Sequence, residues 1–186
     1  TFNPVANFVY AATGADVESI EARGTVRIVD AAGRSATGAW SAYDRASEHM
    51  TLGGGVTLTD GKSILSGDRV EVDLARGISR FPPPGRVRGR FDTGKQTKTA
   101  VATDDPIAAG LGGIASSGDG PVDITADQLE VVEPKSVAIF TGDVVAVRGA
   151  YEIKARTLEA AYARTGDGSA LTRIDAKGRV AVTAPD

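Results

Sequence analysis

The sequence predicts an elongated all-β protein made of stacked antiparallel hairpins, and three observations lead to this fold class. Residues 20–26 recur in the same pattern at residues 174–180, so a unit of domain size is repeated. A shorter phrase, glycine followed by alternating hydrophobic residues, recurs within each copy and is typical of short strands. The chain also has 23 glycines and few aromatic residues, a composition that suits many short strands joined at glycine corners.

The long repeat extends upstream of residues 20–26. Residues 10–14 read Tyr-Ala-Ala-Thr-Gly and residues 162–166 read Tyr-Ala-Arg-Thr-Gly, at a slightly different spacing, so a small insertion separates the two copies. We therefore expect the chain to begin within one copy and to end within the next.

The short repeat predicts hairpins. Its strands open at Gly24, Gly55, Gly142 and Gly178. After the first three, a turn with glycine follows at residues 32–34, 60–62 and 148–150, and a returning strand follows the turn. Further alternating runs at residues 39–44, 68–73 and 156–160 complete each unit. Because such a unit cannot bury one face alone, the units must stack.

Composition argues against several functional classes. A net charge of −3 and a pI near 5.3 give no indication of a basic face that would bind nucleic acid. The sequence also has no run of 18 apolar residues, the length that would indicate a helix able to span a bilayer. The chain has no cysteine, and His49 is its one histidine, so a Ser-His-Asp or Cys-His site has little to build on. The acidic fragments lack the spacing of a calcium loop. We expect no enzyme, no cofactor and no metal site.

Three regions differ in character along the chain. Residues 1–92 form one β-rich block and residues 121–186 form another. Residues 93–120 become rich in glycine and serine towards their end and are predicted to be a linker. Within the first block, residues 81–85 read Phe-Pro-Pro-Pro-Gly and should interrupt strand pairing, since proline has no N–H to donate; residues 86–91 alternate and should form the last strand of this block.

The second block opens with the residues Pro-Val-Asp-Ile-Thr-Ala-Asp-Gln-Leu-Glu at 121–130 and continues with Phe-Thr-Gly-Asp-Val at 140–144 and Ala-Lys-Gly-Arg-Val at 176–180. In this order the phrases resemble the first half of the LptA/OstA family of lipopolysaccharide transport proteins. Residues 20–92 resemble the second half of that family, for example in Leu-Ser-Gly-Asp at 65–68 and Val-Asp-Leu-Ala-Arg-Gly at 72–77. The halves stand in the reverse of the usual order, so the chain is either part of a tandem of modules or a permuted single module; the duplicated junction favours the tandem.

The resemblance implies an antiparallel β-jelly roll bent into a V-shaped trough, or β-taco, open at both ends. It also implies a periplasmic bridge protein that shields the acyl chains of lipid A in a hydrophobic groove between the inner and outer membranes. Strand alternation places aliphatic residues on one face and Arg27, Thr57, Arg69 and Glu71 on the other. The predicted lipid-binding residues are Val122, Ile124, Val144, Val26, Ile28, Val56, Leu58, Val70 and Val72.

By the same resemblance, the partners are lipopolysaccharide, an inner-membrane LptC-like protein and an outer-membrane LptD-like protein, in the periplasm of a Gram-negative bacterium. Open terminal strands predict head-to-tail self-association by strand addition. One alternative is a structural β-solenoid without a lipid, because alternating aliphatic residues are also ordinary core. Another is a related module that binds a different lipid or serves as an assembly adaptor.

Overall fold

A computed structural model describes residues 7–13, 16–92, 120–165 and 168–183. In these residues the expected all-β fold is confirmed: thirteen strands pair antiparallel in one continuous sheet, and a single 3₁₀ turn, Glu133–Lys135, interrupts them. The strands are β1 Asn7–Thr13, β2 Asp16–Val29, β3 Ser35–Asp44, β4 His49–Asp60, β5 Ser63–Asp73, β6 Ile78–Phe81, β7 Val87–Phe91, β8 Val122–Ala126, β9 Gln128–Val132, β10 Val137–Arg148, β11 Tyr151–Thr165, β12 Gly168–Lys177 and β13 Ala181–Thr183.

The sheet folds into a V because its long strands bend at the same level. The pairing register shifts between Arg23 and Val26, and again at the matching points of β3, β4 and β10. Such irregularities bend a strand and increase its twist. Gly142 stands at one of these bends with a φ of 81°, a conformation that glycine adopts at low cost. A Cβ there would also lie 2.5 Å from the carboxylate of Asp127.

The bends divide the sheet into two walls that face each other. Wall I contains residues 26–29, 35–38, 56–60, 63–67, 144–148 and 151–155 together with β7, β8 and β13. Wall II contains residues 19–23, 40–44, 49–53, 69–73, 137–141 and 157–165 together with β6, β9 and β12. The corner of the V carries the bends, and the hairpin turns lie along its open side, which we call the mouth.

The two β-rich blocks join edge to edge in both walls. In wall II, β6 pairs with β9, and in wall I, β7 pairs with β8. The ladder therefore runs without a break from the first block into the second. A permuted single module would instead bring β2 beside β11, and that pairing is not found among the described residues. The division at residues 92 and 121 stays a prediction, and residues 93–119 of the predicted linker lie outside the described part of the chain.

The sequence repeat corresponds to a structural one. Residues 20–26 cross the corner within β2, and residues 174–180 cross it between β12 and β13. The described residues of the upstream match lie on β1 and β11, the strands that precede these crossings. The predicted proline break is also confirmed, since β6 ends at Phe81 and β7 begins at Val87.

The core lies between the walls and extends through both blocks. Phe140, Ile124, Leu129, Ile153 and Leu158 are almost entirely buried there. Phe91 of wall I meets Phe140 of wall II edge to face, with ring centroids 6.0 Å apart. Although the chain has few aromatic residues, two rings placed opposite each other help to fill the space between the walls at this point.

Candidate functional site

A cavity of about 490 Å³ opens at the mouth, between the walls of the first block and the start of the second. Its apolar lining comes from both walls. Wall I contributes Ile28, Ala36, Leu58, Leu65 and Phe91, and wall II contributes Val72, Val131, Ala138 and Tyr162, with Leu74 following directly after β5. The volume falls within the range of about 300–1,000 Å³ typical of small-molecule sites. Because Val131, Ala138 and Tyr162 belong to the second block, the cavity exists only when the two blocks are joined.

The lining of wall I is one row of cross-strand neighbours. Ile28 pairs with Ala36, Ala36 with Leu58, and Leu58 with Leu65, so four strands present one apolar side chain each at the same height. In wall II, Val72, Ser79, Val131 and Ala138 form the corresponding row. Residues directly opposite each other on neighbouring strands share a face, and these two rows therefore face each other across the cavity.

The predicted lipid-binding residues separate into two groups by depth. Ile28, Leu58 and Val72 lie in the rows near the mouth and line the cavity. Val26, Val56, Val70 and Val144 lie one step closer to the corner, where the walls converge, and their side chains are at most 6% exposed. The predicted inward and outward faces are confirmed, since Arg27, Arg69 and Glu71 are exposed on the opposite face.

Val122 and Ile124 do not line the cavity. Both are completely buried, although Ile124 occupies the same row as Leu65 through Gly89. At this level the beginning of β12, which belongs to wall II, meets the end of wall I, and the amide of Leu171 donates to the carbonyl of Asp92. The covered mouth and the Phe91–Phe140 contact leave these two residues in the core.

A cluster of charged side chains bridges the mouth above the cavity. Arg34 lies in the turn of wall I between β2 and β3. Its Nε is 2.6 Å from Oδ2 of Asp30, and its Nη1 is 2.9 Å from Oε1 of Glu133 of wall II. Arg164 on β11 also pairs with Glu133. The hydrogen bond from the Arg34 side chain lowers the pKa of the Asp30 carboxyl, which stays ionised at neutral pH. The cavity thus has an apolar lining and a charged rim.

Sequence reasoning missed Leu65, Phe91, Tyr162 and the rim residues. Leu65 could have been found, because it is the cross-strand neighbour of Leu58 once the turn at residues 60–62 is placed. Arg34 and Glu133 are far apart in sequence and meet only because the walls face each other. Within the described ranges, no group of three or more acidic or histidine side chains could hold a metal ion, and no helix is long and apolar enough to cross a membrane.

Comparison with known proteins bears on the second block. Residues 123–185 match the family model described as LptA/(LptD N-terminal domain) LPS transport protein. Over these residues the chain is LptA-like. The LptA-like region begins on β8 and supplies Val131, Ala138, Tyr162 and the rim residue Glu133 to the cavity. The row from Ile28 to Leu65 lies before the matched residues.

One curated relative is an uncharacterized protein of Rhizobium meliloti (strain 1021). It is 34% identical over 70 residues, which are 38% of this chain and 37% of that relative. The chain therefore spans less than half the length of the curated relative it matches.

Proposed function

We propose that this chain is a periplasmic bridge segment that carries lipopolysaccharide, with the acyl chains of lipid A against the apolar rows of the cavity and the sugars outside the mouth. The observation that carries the proposal is the cavity with its apolar lining and charged rim, in a trough whose second block is LptA-like. Burial of an acyl chain contributes about 0.8 kcal/mol per methylene, so a few covered methylenes already give useful affinity.

Passive transfer needs a second groove of similar quality next to the first. The β6–β9 and β7–β8 pairs join two blocks edge to edge in both walls, and the same kind of pairing between chains would lengthen the trough. Head-to-tail contacts of this type do not close on themselves. Such contacts make further copies of this chain the first proposed partners. The resemblance to the LptA family adds an LptC-like protein at the inner membrane and an LptD-like protein at the outer membrane as proposed partners.

A second candidate is a structural solenoid or assembly adaptor without a lipid. The observation that favours it is the filled interior at the junction, where Phe91 and Phe140 meet and Val122 and Ile124 are completely buried. This candidate leaves the cavity beneath the charged rim without a role, and for that reason we rank it second.

Site-specific photo-crosslinking tests the proposal. A photoreactive amino acid at Leu58 would lie in the cavity lining, and one at Thr57 would lie on the opposite face of the same strand. With purified lipopolysaccharide we expect adducts at position 58 and none at position 57. Equal labelling of both positions, or none at position 58 in a folded protein, would overturn the proposal in favour of the solenoid.

A further inference from the structure

Tyr162 places a phenolic hydroxyl between the walls of the trough. Its oxygen is buried and has no hydrogen-bond partner among the residues that the structure describes, while the residue lines the cavity. Buried polar groups are nearly always hydrogen-bonded in native proteins, so an orphaned hydroxyl beside a cavity calls for an explanation. A ligand that supplies an acceptor atom is one.

The backbone holds Tyr162 firmly in this position. The register between β11 and β12 skips Thr172, so that Tyr162 pairs with Leu171 and both face the interior. The hydroxyl of Thr172 donates to the carbonyl of Ala161 at 3.0 Å, and the amide of Tyr162 donates to the carbonyl of Ser136, also at 3.0 Å. A bulge of this kind can direct a side chain towards a site.

The phenol lies at the boundary between the two chemical environments of the cavity. Tyr162 lines the cavity together with the apolar residues Leu58 and Val72 and with the rim residue Glu133, whose carboxylate is close enough to act on the phenol. Burial first, and then the Glu133 carboxylate, raise the pKa of Tyr162 to about 12. The hydroxyl therefore keeps its proton at neutral pH and can act as a donor.

We propose that the Tyr162 hydroxyl donates a hydrogen bond to the carbonyl oxygen at the head of a bound acyl chain. In an acylated amphiphile this ester or amide carbonyl is the first acceptor after the hydrocarbon, and in the cavity it would lie where the apolar lining meets the rim. The inference rests on the proposed function and adds a selection to it: the cavity distinguishes acyl chains from alkyl chains of equal length.

Two matched probes test this selection. One is 1-lauroylglycerol, which carries an ester carbonyl, and the other is 1-O-dodecylglycerol, whose ether linkage has none. Each competes with a fluorescent apolar dye for the full chain. A neutral hydrogen bond is worth about 0.5–1.5 kcal/mol, or roughly 2- to 10-fold in Kd, so the ester should bind the wild type more tightly than the ether by that factor.

Tyr162→Phe keeps the ring and removes the hydroxyl. We expect the variant to bind the ester only as tightly as the ether, to bind the ether as the wild type does, and to unfold at no lower a urea concentration. Tyr43→Phe, on wall II away from the cavity lining, should keep the wild-type preference. If Tyr162→Phe weakens both probes equally, or neither, the assignment of Tyr162 is overturned and the proposed function stands; if the wild type binds neither probe, both fail.

Discussion

Asp73 closes the end of β5 at the mouth of the trough. Only 5% of the residue is exposed. One carboxylate oxygen accepts a hydrogen bond from the backbone amide of Arg76 at 3.0 Å, and the other accepts one from the Arg76 guanidinium at 3.1 Å. The backbone bond is the main reason that the pKa of Asp73 is lowered, and the side-chain bond adds to it. A carboxylate bound in this way stabilises the fold while it is ionised.

The lowered pKa of Asp73 predicts a loss of stability in acid. Its contribution is fully present above the unfolded pKa of about 3.9 and is lost as the pH falls through the lower folded pKa. Asp73→Asn should be less stable than the wild type at neutral pH and should show a flatter decline between about pH 4 and pH 2. Urea unfolding across this pH range measures both effects.

Arg76→Ala separates the two causes. It removes the guanidinium but keeps the amide, so the pKa of Asp73 should rise only part of the way towards its ordinary value. A carboxyl titration followed by NMR reports that pKa directly. A return to the ordinary value in Arg76→Ala would show that the backbone bond is not the main cause.

Single residues also show how far the site could be predicted from the sequence. Alternation correctly placed both Val56 and Leu58 on the interior face, because side chains on a strand alternate with period two. It could not say that Val56 is core and Leu58 lines a cavity, since that depends on the distance between the walls. The number of residues from Gly55 at the corner was a usable signal, because the walls diverge towards the mouth.

Among the elements, the β11–β12 hairpin braces the two walls. It belongs to wall II, yet the beginning of β12 contacts the end of wall I. Ser63 on β5 donates its hydroxyl to the carbonyl of Ser169 at 2.9 Å, and the hydroxyl of Ser169 donates to Asp60 at 2.5 Å. Hairpin signals in the sequence predicted the turns between β2 and β3 and between β4 and β5. They could not predict this contact, which arises from the relative twist of two walls.

Removing the Ser63 hydroxyl should loosen the hairpin locally. Ser63 is 6% exposed, so Ser63→Ala leaves the Ser169 carbonyl without its donor, at a cost of about 1–3 kcal/mol. Hydrogen exchange of the amides near residues 168–172 should become about tenfold faster or more, with little change in β2 and β3.

Ser47→Ala is the matched control for this measurement. The hydroxyl and the amide of Ser47 both donate to the carboxylate of Asp44 in the same turn, and the turn is exposed. The control should leave exchange in the β11–β12 hairpin as it is in the wild type. Equal exchange rates at residues 168–172 in Ser63→Ala and wild type would contradict the bracing role.

On the scale of the whole molecule, the joint between the blocks unites the trough. The sequence indicated two blocks and a linker but could not show whether the two blocks pair with each other. Two halves of a family pattern in reverse order are compatible both with a tandem of modules and with a permuted single module. The answer depends on long-range pairing of Ile78–Phe81 with Gln128–Val132 and of Val87–Phe91 with Val122–Ala126. No local pattern specifies such partners, since alternation fixes only the face of each strand.

The continuous ladder predicts that the described strands unfold together. Ile124 lies in the joint and is completely buried, so Ile124→Ala should lower the free energy of unfolding by about 3 kcal/mol. Trp40, the one tryptophan of the chain, lies in β3 of the first block and reports on that block by fluorescence, while far-UV circular dichroism reports on all strands. Because the blocks share both walls, the variant should shift the two urea transitions by the same amount.

Ile64→Ala is the control for this measurement. Ile64 is 39% exposed, so its replacement should change the free energy of unfolding by less than about 0.5 kcal/mol in both transitions. A fluorescence transition that stayed at the wild-type midpoint in Ile124→Ala would mean that the first block folds independently of the joint, and the cavity shared by the two blocks would then form only after they dock.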